Sequence, residues 1–230
     1  MLDNSAQTGN QPITLGFVGD IALNDAVLEG LPSDDLRSVF SGVDEILGRC
    51  DLVVGNLECA IRPDMLPRHD TEGVLTAPPE ICGCFDDTPI QVLSLANNHI
   101  QDAGPEGIDF TRRTLEGHGI SHFGAGLDES QASRPIVSEC KGWKIGFLGA
   151  SGFSYANARG ARPGAAPLQN RRLLQSVREL KSTCDLVVVV VHADLEFVDY
   201  PAPWRVRLSR RLIDAGAGLV IHHHPHVLQG

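Results

Sequence analysis

Short apolar runs alternate with amphipathic segments along most of the chain. Each apolar run has the length of a strand and ends in polar residues, which is typical of strands that enter loops. The clearest predicted strands are "ITLGFVGD", "DLVVGNLE", "IQVLSLANNH", "DLVVVVVH" and "GLVIHHHPH". The pattern predicts buried strands connected by helices, and therefore an α/β fold with largely parallel sheets covered by helices.

The segments between these strands have apolar residues at helical spacing. They predict four helices, of which the one ending near Gly119 is closed by a glycine. The helical segments are "LRSVFSGVDEILGRC", "GPEGIDFTRRTLEGHG", "LQNRRLLQSVRELKS" and "PWRVRLSRRLIDAG". The stretch "PIVSECKGWKIGFLGAS" instead predicts two strands joined in a hairpin at Lys141-Gly142.

The carboxyl ends of five predicted strands carry side chains that can bind metal. In α/β sheets ligands bind at this edge, where residues distant in sequence come together. The candidates are Asp20, Glu58, the "NNH" group with Asn98 and His99, the pair His192 and Asp194, and the final histidines from His222 to His226. We therefore expect one site assembled from the whole chain.

Residue totals restrict the class of protein. The 230 residues suit one domain, with residues 1–12 as a polar leader. Nineteen basic against 29 acidic residues give a formal charge of −10, which disfavours nucleic acid and anionic membranes as partners. The chain shows no secretory signal, and its longest apolar run is too short to cross a bilayer, so we expect a cytoplasmic protein without membrane contact.

Several polar residues outside the strand ends have ordinary structural explanations. The six cysteines are expected to be buried, reduced thiols, with the close pair Cys82 and Cys84 as a weak alternative metal site. His118 and His122 are expected to be surface or helix-end histidines. The basic side chains of amphipathic helices, which include Arg112, Arg113, Arg171 and Arg172, are expected to form a solvated face, although they could steer an acidic substrate.

The strand-end residues together favour a metal site. Any one of these histidines could equally be a satisfied core residue. As a set, however, Asp, Glu, Asn and His supply the mixed oxygen and nitrogen donors that suit Mn, Fe, Zn, Mg or Ca. His224-Pro225-His226 adds two imidazoles that, if the backbone is extended, point to the same side.

Five ordered blocks resemble the CapA family of capsule poly-γ-glutamate synthesis proteins, which is related to the calcineurin-like metallophosphoesterases. The blocks are "GFVGDIAL", "VGNLECAI", "LANNHIQDAG", "VHADLEF" and "IDAGAGLVIHHHPHVLQG". The resemblance covers almost the whole chain. It implies a four-layer α/β/β/α sandwich with a divalent-metal site at the carboxyl edges of its sheets.

The resemblance also implies roles for individual residues. Asp20, Asn98, His192, His224 and His226 match metal ligands. Glu58 matches a bridging carboxylate, and His99 matches a general acid or electrostatic clamp. Two departures stand out: the family's D-x-H motif lacks its histidine, because Ala22 stands there, and Asp194 follows His192 where the family has a different motif. The missing imidazole argues against a two-metal phosphatase site, and Asp194 could compensate as a ligand or base.

Three functions are compatible with this sequence. The first is a metal-dependent enzyme acting on a peptide, most specifically the Cα epimerase of a lasso-peptide pathway, with His99, His192 and Asp194 as catalytic groups. The second is a phosphoester hydrolase, and the third is an accessory protein of poly-γ-glutamate capsule synthesis. The family's chains continue past "HPHVLQG", so either further elements are absent here or the sequence stops short of them.

Overall fold

The computed structural model describes residues 11–31, 36–63 and 73–229. Residues 1–10 of the predicted leader and the final Gly230 lie outside the described residues. The strands are β1 (Leu15–Ile21), β2 (Leu52–Leu57), β3 (Ala60–Ile61), β4 (Thr76–Ala77), β5 (Ile90–Ser94), β6 (Ser121–Phe123), β7 (Ala125–Gly126), β8 (Ile136–Cys140), β9 (Trp143–Ser151), β10 (Gly164–Ala165), β11 (Leu186–His192) and β12 (Leu219–His223).

The helices occupy the connections between strands. Three of them have at least three turns and match predicted helices. The helices are α1 (Asp25–Glu29), α2 (Asp44–Leu47), α3 (Gly104–Gly117), α4 (Glu129–Ala132), α5 (Asn170–Lys181) and α6 (Pro203–Ala215), with 3₁₀ turns at Leu36–Phe40 and Pro79–Phe85. The single helix predicted for "LRSVFSGVDEILGRC" is wrong: it is divided between a 3₁₀ turn and α2, because Gly42 and several serines and valines weaken its helical preference.

Two four-stranded sheets dominate the structure. The first has the order β1-β2-β5-β6 with all strands parallel. The second has the order β12-β11-β9-β8, parallel except for β8, which forms the predicted hairpin with β9. Lys141 and Gly142 both have positive φ in this turn, as tight hairpins require. The predicted α/β class with largely parallel sheets is confirmed.

Three apolar clusters position the sheets and helices. One cluster contains Val54 of β2, Phe147 of β9 and Val190 of β11, so the two sheets contact each other through these faces. A second covers the opposite face of the first sheet and includes Ile108 of α3. The third covers the opposite face of the second sheet with residues of α5 and α6, such as Val177. Both sheets are therefore buried on two faces, which explains the uninterrupted valines of β11.

Candidate metal centre

The carboxyl ends of strands from both sheets converge. Asp20, near the end of β1, has Oδ1 3.1 Å from Nδ1 of His223 and 3.8 Å from Nδ1 of His192, so the two sheets meet here. The β1–β2 register shifts between Phe17 and Asp20, a bulge of the kind that redirects a side chain. The structure brings Asp20, Glu58, Asn98, His99, His192, His224 and His226 into one region, as the contacts below show.

Glu58 lies at the centre of the donor atoms. Its Oε1 is 3.3 Å from Nε2 of His192 and 4.0 Å from Nε2 of His226. Glu58 belongs to two three-residue groups, and within each group the possible ligand atoms all lie within 4.8 Å of one another. One group adds Asp20 and His192, and the other adds His224 and His226. One carboxylate is therefore common to two three-residue groups, as a bridging ligand would be.

Burial and neighbouring charges shift the pKa values of Glu58 and Asp20 in opposite directions. Burial of Glu58, which is 2% exposed, together with the negative charge of Asp20, raises the pKa of Glu58 to about 8. Burial alone would also raise the pKa of Asp20. The hydrogen bond and charge of His223, with help from His192, outweigh that effect and hold the pKa of Asp20 well below its usual range. Without a cation, the pair carries one negative charge near neutral pH.

His192 is buried and neutral. Burial lowers the pKa of His192 to about 3. Its Nδ1 is 3.2 Å from the amide nitrogen of Asn56. Its Nε2 is 2.7 Å from Oδ1 of Asn98. The two predicted ligands His192 and Asn98 are thus neighbours, each with an atom that a metal could bind.

The four final histidines point in different directions. His222 and His223 are successive residues of β12, so they face opposite sides: Nε2 of His222 is 2.8 Å from Oγ of Ser209 in α6, whereas His223 contacts Asp20. The expected extended conformation of His224-Pro225-His226 is wrong. His224 and His226 have φ of 90° and 54°, because the chain turns sharply where it leaves the sheet. Both imidazoles nevertheless belong to the group that contains Glu58.

His99 forms a pair with Asp102 that the strand-end pattern did not predict. Its Nδ1 is 2.7 Å from Oδ2 of Asp102, which also accepts a hydrogen bond from the backbone N–H of Leu75 at 2.6 Å. Burial would lower the pKa of His99, but the hydrogen bond and charge of Asp102, with the charge of Glu58, raise it overall. The i, i+3 spacing of a histidine and an aspartate was the available signal.

Buried amides hold the ligands in place. Nδ2 of Asn56 donates to Oδ1 of Asp20 at 2.8 Å, and Nδ2 of Asn97 donates to Oδ1 of Asn56 and to the carbonyl of Leu57. Oδ1 of Asn97 accepts from the backbone N–H of His99 at 3.1 Å. The amides therefore connect β1, β2 and the loop after β5, and they fix the orientation of Asp20 and His99.

The sequence of residues 14–230 matches the family described as bacterial capsule synthesis protein PGA_cap. The chain belongs to this family. The resemblance inferred from its sequence blocks is thereby confirmed.

Relatives of this PGA_cap chain carry names from polymer synthesis. Capsule biosynthesis protein CapA of Bacillus anthracis is 29% identical over 229 residues, covering 96% of this chain and 56% of the relative. PGA biosynthesis protein CapA of Bacillus subtilis is 30% identical over 222 residues, covering 94% and 58%. A probable polyglutamine synthesis accessory protein of Mycobacterium tuberculosis is 31% identical over 148 residues, covering 59% and 39%. The chain spans little more than half the length of the two Bacillus proteins.

These names favour one of the three functions predicted for this PGA_cap chain. They concern capsule and poly-glutamate synthesis, and none of them supports a peptide epimerase of a lasso-peptide pathway. In the described part of the chain, no helix combines the length and apolar character needed to cross a bilayer.

The carboxylate of Asp194 contacts residues outside the candidate metal centre. Its carboxylate accepts a hydrogen bond from the backbone N–H of Ala202 at 2.9 Å and lies 3.5 Å from Nη1 of the buried Arg205. It belongs to neither group of possible ligand atoms among the described residues. The carboxylate of Asp194 is thus engaged by Ala202 and Arg205, and its role as a ligand or base stays a prediction.

Four of the six cysteines are buried thiols, as expected, whereas Cys50 and Cys140 are half-buried. All six are free. Burial raises the pKa of Cys82 to about 12 and that of Cys84 to about 11, so both are protonated thiols at neutral pH. Within the described residues they belong to no group of possible metal ligands.

The donor set at the sheet edge fits a divalent cation. Oε1 of Glu58 is buried and has no hydrogen-bond partner among the described residues, and the same holds for Nδ1 of His224. Burial lowers the pKa of His224 to about 4, so this imidazole is neutral, which is the form that binds metal. A cation would compensate the buried charge of Asp20 and allow Glu58 to ionise. Carboxylate, amide and imidazole donors suit Mn, Fe or Zn better than a thiolate-seeking ion.

Proposed function

We propose that this chain is a divalent-metal-dependent protein that acts in the synthesis of a poly-glutamate polymer. Membership of the PGA_cap family and the names of the Bacillus relatives support the polymer. The observation that carries the proposal is the position of Glu58 in both groups of possible ligands. The predicted peptide partner then becomes an amide-linked chain of glutamate residues.

We assign the metal to a ligand set drawn from both sheets. Asp20, His192 and Asn98 form one part of the set, and His224 and His226 form the other, with Glu58 between them. The buried, unpartnered Oε1 of Glu58 supports this assignment. When bound, the cation supplies a Lewis acid and lowers the pKa of a coordinated water.

The chain's own residues support proton transfer next to this set. Asp102 holds Nδ1 of His99, which leaves Nε2 of His99 free to carry a proton. Because the pKa of His99 is raised, its protonated form is favoured, and Nε2 is suited to deliver a proton to a leaving atom of the substrate. His99 is therefore the proposed general acid, and Asp102 is its positioning residue.

The same pair favours phosphoester hydrolysis as a second candidate function. A metal centre with an adjacent protonated imidazole suits a phosphate substrate, because the imidazole can protonate the leaving oxygen. We also propose that the fold is the four-layer α/β/β/α sandwich of metallophosphoesterases. The apolar cluster between the two sheets and the helices on their outer faces support that assignment.

Metal titration tests the proposed centre. The purified chain is stripped with chelator and titrated with Mn²⁺, Zn²⁺, Mg²⁺ and Ca²⁺ by calorimetry. Glu58→Gln and His192→Ala are expected to lose binding, whereas His118→Ala, a control at an exposed histidine that contacts Asp86, is expected to keep it. Full metal content in Glu58→Gln would contradict the ligand assignment.

Substrate assays test the function separately. Each metal-loaded protein is incubated with poly-γ-glutamate of defined length, for binding and cleavage, and with p-nitrophenyl phosphate. Metal-dependent interaction with the polymer supports the proposal, and phosphate release without it favours the second candidate. A chain that binds metal but acts on neither substrate would refute both functions and leave the metal site intact.

A further inference from the structure

A second cleft opens at the side of the molecule. It has a volume of about 460 Å³ and lies where β6 and β8, the edge strands of the two sheets, come close to each other. None of the proposed metal ligands lines it. Its polar lining consists of Arg112, Glu116, Ser121, His122, Gln131 and Arg134.

Arg112 is a mostly buried cation with few partners. Its side chain is 16% exposed, so the expectation of a solvated position is wrong. Nη1 donates one long hydrogen bond, of 3.3 Å, to Oε1 of Gln131, and Nε has no partner among the described residues. The nearest carboxylate oxygens, of Asp109 and Glu116, lie 3.6 and 3.8 Å away, beyond good hydrogen-bond range. A guanidinium has five N–H donors, and only one of them donates a hydrogen bond to another described residue.

Both carboxylates near Arg112 have closer partners. Oδ2 of Asp109 is 2.8 Å from Nη2 of Arg113, and Oε1 of Glu116 is 3.1 Å from Nε2 of His122. Each acidic group is thus already shared with another donor. The positive charge of Arg112 is only partly balanced, and burying such a charge is costly.

His122 and Arg134 add to the polar character of the cleft. The side chain of His122 is 9% exposed, which differs from the expected surface position, and its Nδ1 has no hydrogen-bond partner among the described residues. Arg134 is exposed, and no described carboxylate lies within ion-pair distance of it. The lining therefore has two guanidinium groups against one carboxylate, in a chain with a formal charge of −10.

We propose that this cleft binds a small organic anion through its carboxylate or phosphate group. The oxyanion would accept hydrogen bonds from the free donors of Arg112, with Arg134 as a second cation at the surface. The rest of the ligand would lie on the apolar part of the lining, which includes Ile136 and the exposed Val137. This site does not depend on the proposed metal chemistry.

Calorimetric titration of the full chain, after removal of divalent ions with chelator, tests the site. The probes are inorganic phosphate, acetate and butyrate. We expect saturable binding, with butyrate tighter than acetate because of the apolar wall. Arg112→Gln should weaken binding about tenfold or more, since hydrogen bonds to charged groups are lost. Arg113→Gln is the matched control, because Arg113 is the neighbouring, exposed arginine and lies outside the cleft.

The remaining outcomes are equally decisive. Failure of all three probes to saturate would overturn the proposal, as would equal weakening by Arg112→Gln and Arg113→Gln. If Arg112→Gln does not fold, Arg134→Glu replaces it, because a change at this exposed position should reduce binding without affecting the core. Glu58→Gln should leave anion binding unchanged, so a failure at the metal centre is distinguishable from a failure here.

Discussion

Replacing Glu58 with glutamine tests the electrostatics of the metal centre. Glutamine has the shape of a protonated glutamate and cannot ionise. The ordinary pKa of this carboxyl is 4.5, and burial with the nearby charge of Asp20 raises it to about 8. Between these two values the folded state holds a proton that the unfolded state has released. In chelator, the titration of Glu58 therefore lowers the stability of the wild-type chain as pH rises through this window, against the opposite contributions of His192, His222 and His224, whose pKa values are lowered.

The size of the effect follows from the proton count. One extra proton in the folded state lowers the free energy of unfolding by about 1.4 kcal/mol per pH unit. From pH 5 to pH 8, Glu58→Gln should therefore gain up to about 4 kcal/mol relative to wild type. Asp20 has a lowered pKa, so its favourable contribution is complete above its unfolded value and does not change in this window. The comparison with the variant cancels the titration of other groups to first order.

Urea unfolding at pH 5, 6, 7 and 8 measures this difference, first in chelator and then with metal. At a metal concentration 100 times its Kd, wild type should gain about 2.7 kcal/mol, and the variant should gain little because its ligand is lost. Parallel pH profiles of the two proteins in chelator would refute the argument from burial. An equal gain on adding metal would show that Glu58 is not a ligand.

Two further changes separate catalysis from packing. Asp102→Asn should keep full metal content but lower turnover by on the order of 100-fold, because His99 loses the charge that raises its pKa. Turnover is measured together with metal content by elemental analysis. Unchanged turnover would remove the pair from the mechanism. Gly126→Ala should lower the free energy of unfolding in urea by about 1–3 kcal/mol, because the added Cβ would meet the backbone nitrogen of Ala132. Gly117→Ala is the control, since its Cβ has free space, and it should be neutral or stabilising. Similar unfolding midpoints for both variants would contradict this reasoning.

The sequence predicts which strand ends carry the proposed metal ligands, because parallel strands place their carboxyl ends at one edge. Asp20, Glu58 and His192 each follow an apolar run at the point where it leaves the sheet, and the structure brings these side chains together. The uninterrupted apolar runs of β2 and β11 predict strands that are buried on both faces, as the structure has them. An apolar run that ends in polar residues can be recognised from the sequence alone.

The direction of a side chain that follows a strand end cannot be predicted from the sequence in this way. Asp194 and His224 both have positive φ, a conformation that non-glycine residues seldom adopt and that sequence patterns do not predict. Asp194 consequently meets Arg205, while His224 joins the group around Glu58. The alternation of strand residues, by contrast, could have distinguished His222 from His223 in advance.

The proposed ligand set is divided between the two sheets. Asp20, Glu58 and Asn98 belong to the first sheet and its loops, whereas His192 and the histidines after β12 belong to the second. Neither sheet alone offers enough donors for a closed set of ligands. The apolar contact of Val54 with the cluster that includes Phe147 therefore does more than bury surface. It holds the two halves of the centre together, and metal binding in turn should stabilise this contact, since a cation that needs both halves binds only the packed state.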